Sequence, residues 1–164
     1  MKLKPFRQRP GYCGPASLKI LLAYYGINKS EKELARLCKC TRDKGTNAEN
    51  LVKAAKSLGL EGFIQDYSNV KDVKKGIKDI RKYVCEKKIP VIVDWFYEDD
   101  GHYSVVSNID KYKIYLQDPS IGGIRTMSIR KFKRVWFDFP GDFIKSKDDL
   151  ILRRLIVIYK ENHE

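Results

Sequence analysis

Gln8-Arg9-Pro10-Gly11-Tyr12-Cys13-Gly14-Pro15-Ala16 sets a thiol at the threshold of a helix, and the fold follows from what that helix must pack against. Leu18, Leu21, Leu22 and Tyr25 recur at intervals of three and four, Ala16 and Ala23 fill between them, and Gly26 stands where a C-terminal cap belongs. A helix is therefore predicted over Gly14 to Tyr25. Pro15 in the first turn has no N–H to leave unpaired, and Gly14 lets the backbone close around an incoming substrate. The unpaired N–H groups and macrodipole of a helix start favour an anion, which for a cysteine means the thiolate. A lone cysteine is more often a small buried hydrophobe. The Gly-Pro after Cys13 favours a nucleophile.

Working outward, Ser30-Glu31-Lys32-Glu33 and Thr46-Asn47-Ala48-Glu49 each match a capping box ahead of an apolar pattern, predicting two further helices, the second closed by Gly59. From Val70, the positions Val73, Ile77, Ile80 and Val84 step by four and three with lysines on the other side, an amphipathic helix. At Pro90 the chain changes character. Val91 to Val93, Tyr103 to Ile109, Lys113 to Gln117, Gly123 to Ser128 and Leu150 to Tyr159 are β-branched or aromatic runs between turn residues. A short helix capped by Ser128 is expected at Ile129 to Trp136. Helices first and an antiparallel sheet second make an α+β fold, and with no repeat or linker in the chain, residues 1–164 read as one domain.

A thiol nucleophile needs a base, and of the two histidines His163 sits in the C-terminal Asn162-His163-Glu164, where fraying is expected. That leaves His102, in Gly101-His102-Tyr103-Ser104-Val105-Val106 at the head of a strand; the alternative is a histidine in an exposed turn. If this strand and Lys113 to Asp118 form a hairpin through Asp110-Lys111-Tyr112, Asp118 comes back opposite the strand head and can orient the imidazole. As an Asp-Pro turn starter, Asp118 has a simpler reading.

Length and charge bound the other classes. One hundred and sixty-four residues bury about two-thirds of the unfolded surface, enough for a core without disulfides. Lysine plus arginine exceed aspartate plus glutamate 33 to 21, a net charge of +12 that admits a nucleic-acid or anionic-surface binding module as the competing class. No nucleic-acid motif is present and the lysines surround helices instead of interleaving with aromatics, so no nucleic acid is expected. No apolar run reaches membrane-spanning length, and the basic start Met1 to Arg7 has no apolar stretch behind it, so a cytoplasmic location and four reduced cysteines are expected. Cys38-Lys39-Cys40 falls short of a zinc set, and neither metal nor cofactor is predicted. The acidic run Asp94, Glu98, Asp99, Asp100 reads as a solvated loop, with a role beside the imidazole as the alternative. Trp95-Phe96-Tyr97 and Trp136 read as core, with a groove wall as the alternative.

The order Cys13, His102, Asp118 is that of papain-like enzymes. Together Gln8, Cys13-Gly14-Pro15-Ala16-Ser17-Leu18, Tyr24-Tyr25-Gly26, Gly45-Thr46, Gly101-His102-Tyr103, Asp118-Pro119, Phe132 and Trp136 resemble the double-glycine leader peptidase family, the papain-like cysteine peptidase domains of bacteriocin-processing ABC exporters. The resemblance implies a papain-like fold, Cys13 as nucleophile, His102 as base, Asp118 as orienting acid and Gln8 in the oxyanion hole. It also implies a peptide substrate cleaved after two small residues, with Gly14, Gly101 and Tyr103 at the substrate. Gln8 lies five residues before the cysteine, where the family often has six. No transporter follows, so a stand-alone form that works with a separate membrane transporter is expected. Acyl transfer to an amine instead of water would use the same residues.

Overall fold

The apolar periodicity after Cys13 forms helix α1, Cys13–Tyr24, in a computed structural model that describes residues 1–161. His163 lies outside the described residues. The helix begins on Cys13 itself, one position earlier than predicted. Helix α2 (Glu31–Leu37) has the expected capping box: the Ser30 hydroxyl accepts from the Glu33 N–H, and the Glu33 carboxylate takes the Ser30 N–H. Helix α3 (Ala48–Ser57) departs from the prediction in its cap. Asn47 accepts from the Asn50 N–H at 2.8 Å, while the Thr46 hydroxyl donates to Cys38 O at 2.6 Å. Helix α4 (Asp72–Arg81) starts two residues after Val70 and runs into a wider π turn at Lys82–Glu86.

The second half supplies strands β2 (Val91–Tyr97), β3 (Asp100–Ile109), β4 (Lys113–Asp118) and β5 (Gly123–Ser128), followed by helix α5 (Ile129–Val135), whose cap is Ser128 as expected. Two strands differ from the reading. Glu61–Gln65 forms an unpredicted strand β1, since its Glu and Gly argue against a strand and only pairing with the C-terminal strand, Phe63 opposite Val157, holds it. The predicted run from Leu150 to Tyr159 is broken at Arg153, which has a left-handed backbone (φ 52°) and directs its guanidinium onto the carbonyls of Tyr67, Ser68 and Asn69. The break leaves β7 (Ile151–Leu152), paired with β6 (Phe137–Asp138), and β8 (Leu155–Tyr159).

One antiparallel sheet has the order β1-β8-β2-β3-β4-β5. Its alternating residues feed two cores. Leu18, Leu21, Leu22 and Leu51 pack with Ile92, Val105, Ile156 and Ile158 on the face covered by α1 to α3. Ile77, Ile80, Phe132 and Trp136 pack with Val91, Val93, Val106 and Val157 on the other. The architecture is the expected α+β.

A β-bulge decides where Asp118 points. Ile109 pairs with Ile114 and Asn108 with Tyr115, but Val106 pairs with Leu116 and Val105 with Gln117, so Ser107 is an extra residue in β3. Its hydroxyl donates to Tyr115 O at 3.1 Å. Carrying the register on sets Asp118 opposite Ser104, which shares a face with His102 two residues away. Without the bulge Asp118 would oppose Val105 and face the other way, since a one-residue slip turns every side chain over.

Candidate active site

The three residues singled out as a triad come from three elements and meet at the head of β3. Strand β4 ends at Asp118, so on that side the imidazole of His102 has no residue directly across and reaches along the sheet to the carboxylate, while Trp95 of β2 stands opposite it on the other side. His102 Nε2 lies 2.6 Å from Asp118 Oδ1, with the imidazole 7% exposed and Asp118 fully buried. With Nε2 engaged, Nδ1 is the nitrogen left for Cys13, whose thiol reaches the imidazole from the start of α1 and interacts with it. The Ser17 hydroxyl, one turn into α1, donates to Tyr103 O at 3.0 Å and ties the helix to β3 beside the site.

Four donors converge on Asp118. The Ser120 N–H and hydroxyl each reach Oδ1 at 2.9 Å, and Arg125 Nε reaches Oδ2 at 2.5 Å. The Arg125 guanidinium lies over the Tyr97 ring at 4.4 Å, and Trp95 meets the imidazole edge-on at 5.6 Å, its indole N–H held by the Ser104 hydroxyl. Of the aromatic triplet, then, Trp95 and Tyr97 wall the imidazole, while Phe96, on the other face, stacks on Phe137 and Phe139.

Electrostatics follow from this crowding. Burial pulls the imidazole's pKa down, but the hydrogen bond to Asp118 and the Cys13 thiol outweigh it and lift His102 to about 9. Burial also works against the Asp118 carboxylate, yet His102, Arg125 and Ser120 hold its pKa well below the ordinary range. At neutral pH the site is built to hold an imidazolium between the Asp118 carboxylate and the Cys13 sulfur.

Gln8 is tied to this centre through its backbone, its N–H donating to Pro119 O at 2.9 Å just after Asp118. Its Nε2 donates to Arg9 O at 3.3 Å, and its Oε1 is buried with no donor. From Gln8 the chain makes a turn closed by the Tyr12 N–H on Arg9 O at 3.1 Å, with Gly11 at φ 85°, and delivers Cys13. Glu31 fastens this turn by taking both the Arg9 N–H (3.0 Å) and the Arg9 guanidinium (2.6 Å). The sequence showed Glu31 only as the start of a helix.

The three expected substrate contacts, Gly14, Gly101 and Tyr103, each pack against the protein itself. A side chain on Gly14 would run into the Thr46 methyl, so this glycine lets α1 close on the segment that leads into α3. On Gly101 it would strike the Asp138 carboxyl. Tyr103 is buried between helix and sheet with its hydroxyl on Thr46 O at 3.1 Å. The expectation for Asp94 is corrected: it is not in a solvated loop but buried within β2. It is hydrogen-bonded to Asp138, and burial, then the Asp138 charge, push its pKa well above the usual range.

Asp138 is raised too, by burial first, so the two carboxyls hold a proton that the unfolded chain gives up above about pH 4. Folding takes up that proton, and stability falls as pH rises past the ordinary carboxylate range. Asp94→Asn offers the same hydrogen bond without the proton. Thermal melts between pH 5 and 8 should show a smaller loss of Tm for this variant than for the parent; an unchanged slope contradicts the shared proton.

A thiol at a helix start, facing a histidine held by a carboxylate on an antiparallel sheet, is an arrangement that can be compared with known proteins. The Peptidase C39 family profile matches residues 6–139, which span Gln8, Cys13, His102 and Asp118. The chain belongs to the Peptidase C39 family. It is thus a cysteine-type peptidase. A protein of Methanothermobacter marburgensis is 37% identical over 120 residues, 73% of each chain. The pediocin PA-1 transport/processing ATP-binding protein of Pediococcus acidilactici is 32% identical over 127 residues, which are 76% of this chain and 16% of that one. Among solved structures, a double glycine motif protease from an AMS/PCAT transporter, in complex with its leader peptide, superposes with a TM-score of 0.71 at 23% identity, covering 97% of this chain and 92% of that one. The peptidase domain of Streptococcus ComA gives 0.69 at 24% identity, covering 96% and 98%. These likenesses carry the papain-like peptidase fold. No helix among the described residues is long and apolar enough to cross a membrane.

Proposed function

We propose that this C39 peptidase cleaves a peptide after a pair of small residues, glycine above all, at the end of a leader segment, using Cys13, His102 and Asp118. The observation that carries the reading is the 2.6 Å contact of His102 Nε2 with a buried, ionised Asp118, which leaves the other ring nitrogen to the Cys13 thiol. His102 takes the thiol proton, and the sulfur attacks the scissile carbonyl carbon. Gln8 and the Cys13 N–H hold the developing oxyanion, for which a single donor is worth about 3 kcal/mol. The amide end of Gln8 serves this once a half-turn puts its N–H where Oε1 is now buried. The imidazolium then gives its proton to the leaving amine, the C–N bond breaks, and water releases the acyl group from sulfur with His102 again as base.

Leader specificity is supported by the relatives, one a transport and processing protein for pediocin and one a double glycine motif protease bound to its leader. The same kinship supports a membrane transporter as the partner that receives the trimmed peptide. Four free thiols suit the reducing cytoplasm. The test is a pair of fluorogenic peptides differing only before the cleaved bond. Gly-Gly is expected to give a kcat/KM at least tenfold above Leu-Lys, and equal values refute the small-residue preference.

A further inference from the structure

The ion pair that Asp118 makes away from the imidazole has no counterpart in the proposed chemistry. Arg125 is one of 33 cationic residues in the chain and carries no motif. Yet its Nε sits 2.5 Å from Asp118 Oδ2, the carboxylate oxygen that His102 does not use, while Oδ1 takes His102 at 2.6 Å. Strand register explains the approach: Asp118 pairs with Gly123 and Leu116 with Arg125, so Arg125 and Asp118 stand diagonally on one face of the β4–β5 hairpin. The guanidinium also lies over aromatic rings, 4.4 Å from the Tyr97 centroid and 5.9 Å from that of Trp95, and Trp95 also borders the imidazole. The planar head is thereby fixed from above as well as from the side, which a lysine ammonium could not reproduce.

Resting on the triad reading above, we propose that Arg125 is the positioning residue of this peptidase: clamped on Tyr97, it locks the rotation of the Asp118 carboxylate so that Oδ1 stays on His102 Nε2. A carboxylate held by Ser120 and His102 on Oδ1 alone keeps some rotation about its Cβ–Cγ bond; the charge-assisted bond to Oδ2 removes that freedom. The charged and titratable groups around the imidazole are Cys13 from α1, Tyr97 from β2, Asp118 from β4 and Arg125 from β5, with the Asp94–Asp138 pair beyond Gly101. Of these, Asp118 and Cys13 favour the imidazolium. Loosening Asp118 weakens that support, so the imidazole should lose its proton at lower pH.

Arg125→Met keeps the apolar stem against Tyr97 and removes the clamp; Arg125→Lys keeps the charge without the planar fork. On a Gly-Gly fluorogenic peptide, the methionine variant should lose roughly 10- to 100-fold in kcat with KM within about twofold, as expected for a misplaced reacting group. In the lysine variant, which keeps the cation beside the imidazole, the alkaline limb of the pH–kcat/KM profile should move below that of the parent. A thermal melt reports folding, and if the methionine variant is unfolded the lysine variant alone decides. A limb that stays put or moves upward, or a loss confined to KM, overturns the proposal. Failure of the triad reading looks different: Cys13→Ala would then cleave the same peptide.

Discussion

Cys13→Ala is expected to abolish peptide cleavage, lowering kcat by roughly 10⁴-fold or more, as losses of a covalent nucleophile do in enzymes that work through one. The substitution is structurally mild. Cys13 opens α1 and is only partly buried against the core of α1 to α3, and alanine is the best helix former. The tie between α1 and β3 through Ser17 and Tyr103 O is untouched. Melting should therefore stay close to that of the parent while turnover of a Gly-Gly peptide disappears. Retention of more than about a tenth of the activity would remove Cys13 from the chemistry, because the half-buried thiol would then be packing only. The other thiols offer no substitute, since Cys38 is fully buried, the Cys40 sulfur points at the Gly11 carbonyl and the Cys85 sulfur at the Ile109 carbonyl.

Asp118→Asn should have the second largest effect, and its signature is in the pH profile. An asparagine keeps the shape and can still accept from the His102 ring through its oxygen, but it carries no charge and leaves Arg125 without its anion. Burial already pulls the imidazole's pKa down; the Asp118 bond is the first of the forces that lift it to about 9. The protonated imidazole needed to release the leaving amine exists below the folded-state pKa and is lost above it. In the parent the alkaline limb should fall near pH 9, and in Asp118→Asn it should move toward the ordinary histidine value of about 6.5. Turnover at neutral pH should drop by roughly 10²- to 10⁴-fold, since an orienting carboxylate turned to amide has cost that much in comparable triads. A variant whose limb remains near pH 9 would show that the lifted imidazole does not depend on Asp118.

The parts legible in the sequence were those set by local pattern. Helix α1 announces itself through Leu18, Leu21, Leu22 and a glycine stop, and the Ser30 and Ser128 caps stand where their spacing puts them. The hairpin carrying His102 and Asp118 is readable from two β-branched runs and a short turn. What makes it a site was not, because the bulge at Ser107 leaves no local mark: a serine in a strand looks like any other strand residue, and only the paired register shows that it turns Asp118 onto the face of His102. Arg125 was hidden for the opposite reason, as one cation among many in a chain of net charge +12. Strand β1 and the break at Arg153 are products of pairing and of tertiary carbonyls, which outweigh local propensity. Asp94 looked like part of an acidic turn because a strand continuing through Trp95-Phe96-Tyr97 buries it, and burial of a carboxyl becomes acceptable only once Asp138 arrives from β6 to share a proton.

The central claim, a Cys13 thiol activated by His102, is tested most directly by timed alkylation with iodoacetamide at pH 6.5, read by mass spectrometry of each cysteine peptide. Burial pushes the Cys38 thiol up to about 12 and Cys40 to about 11, so neither carries appreciable thiolate there. Cys13 should be modified faster than Cys38, Cys40 and Cys85 by roughly 10²-fold, an advantage that collapses in His102→Ala. Four thiols reacting at similar rates, or a Cys13 advantage undiminished without the imidazole, would contradict it.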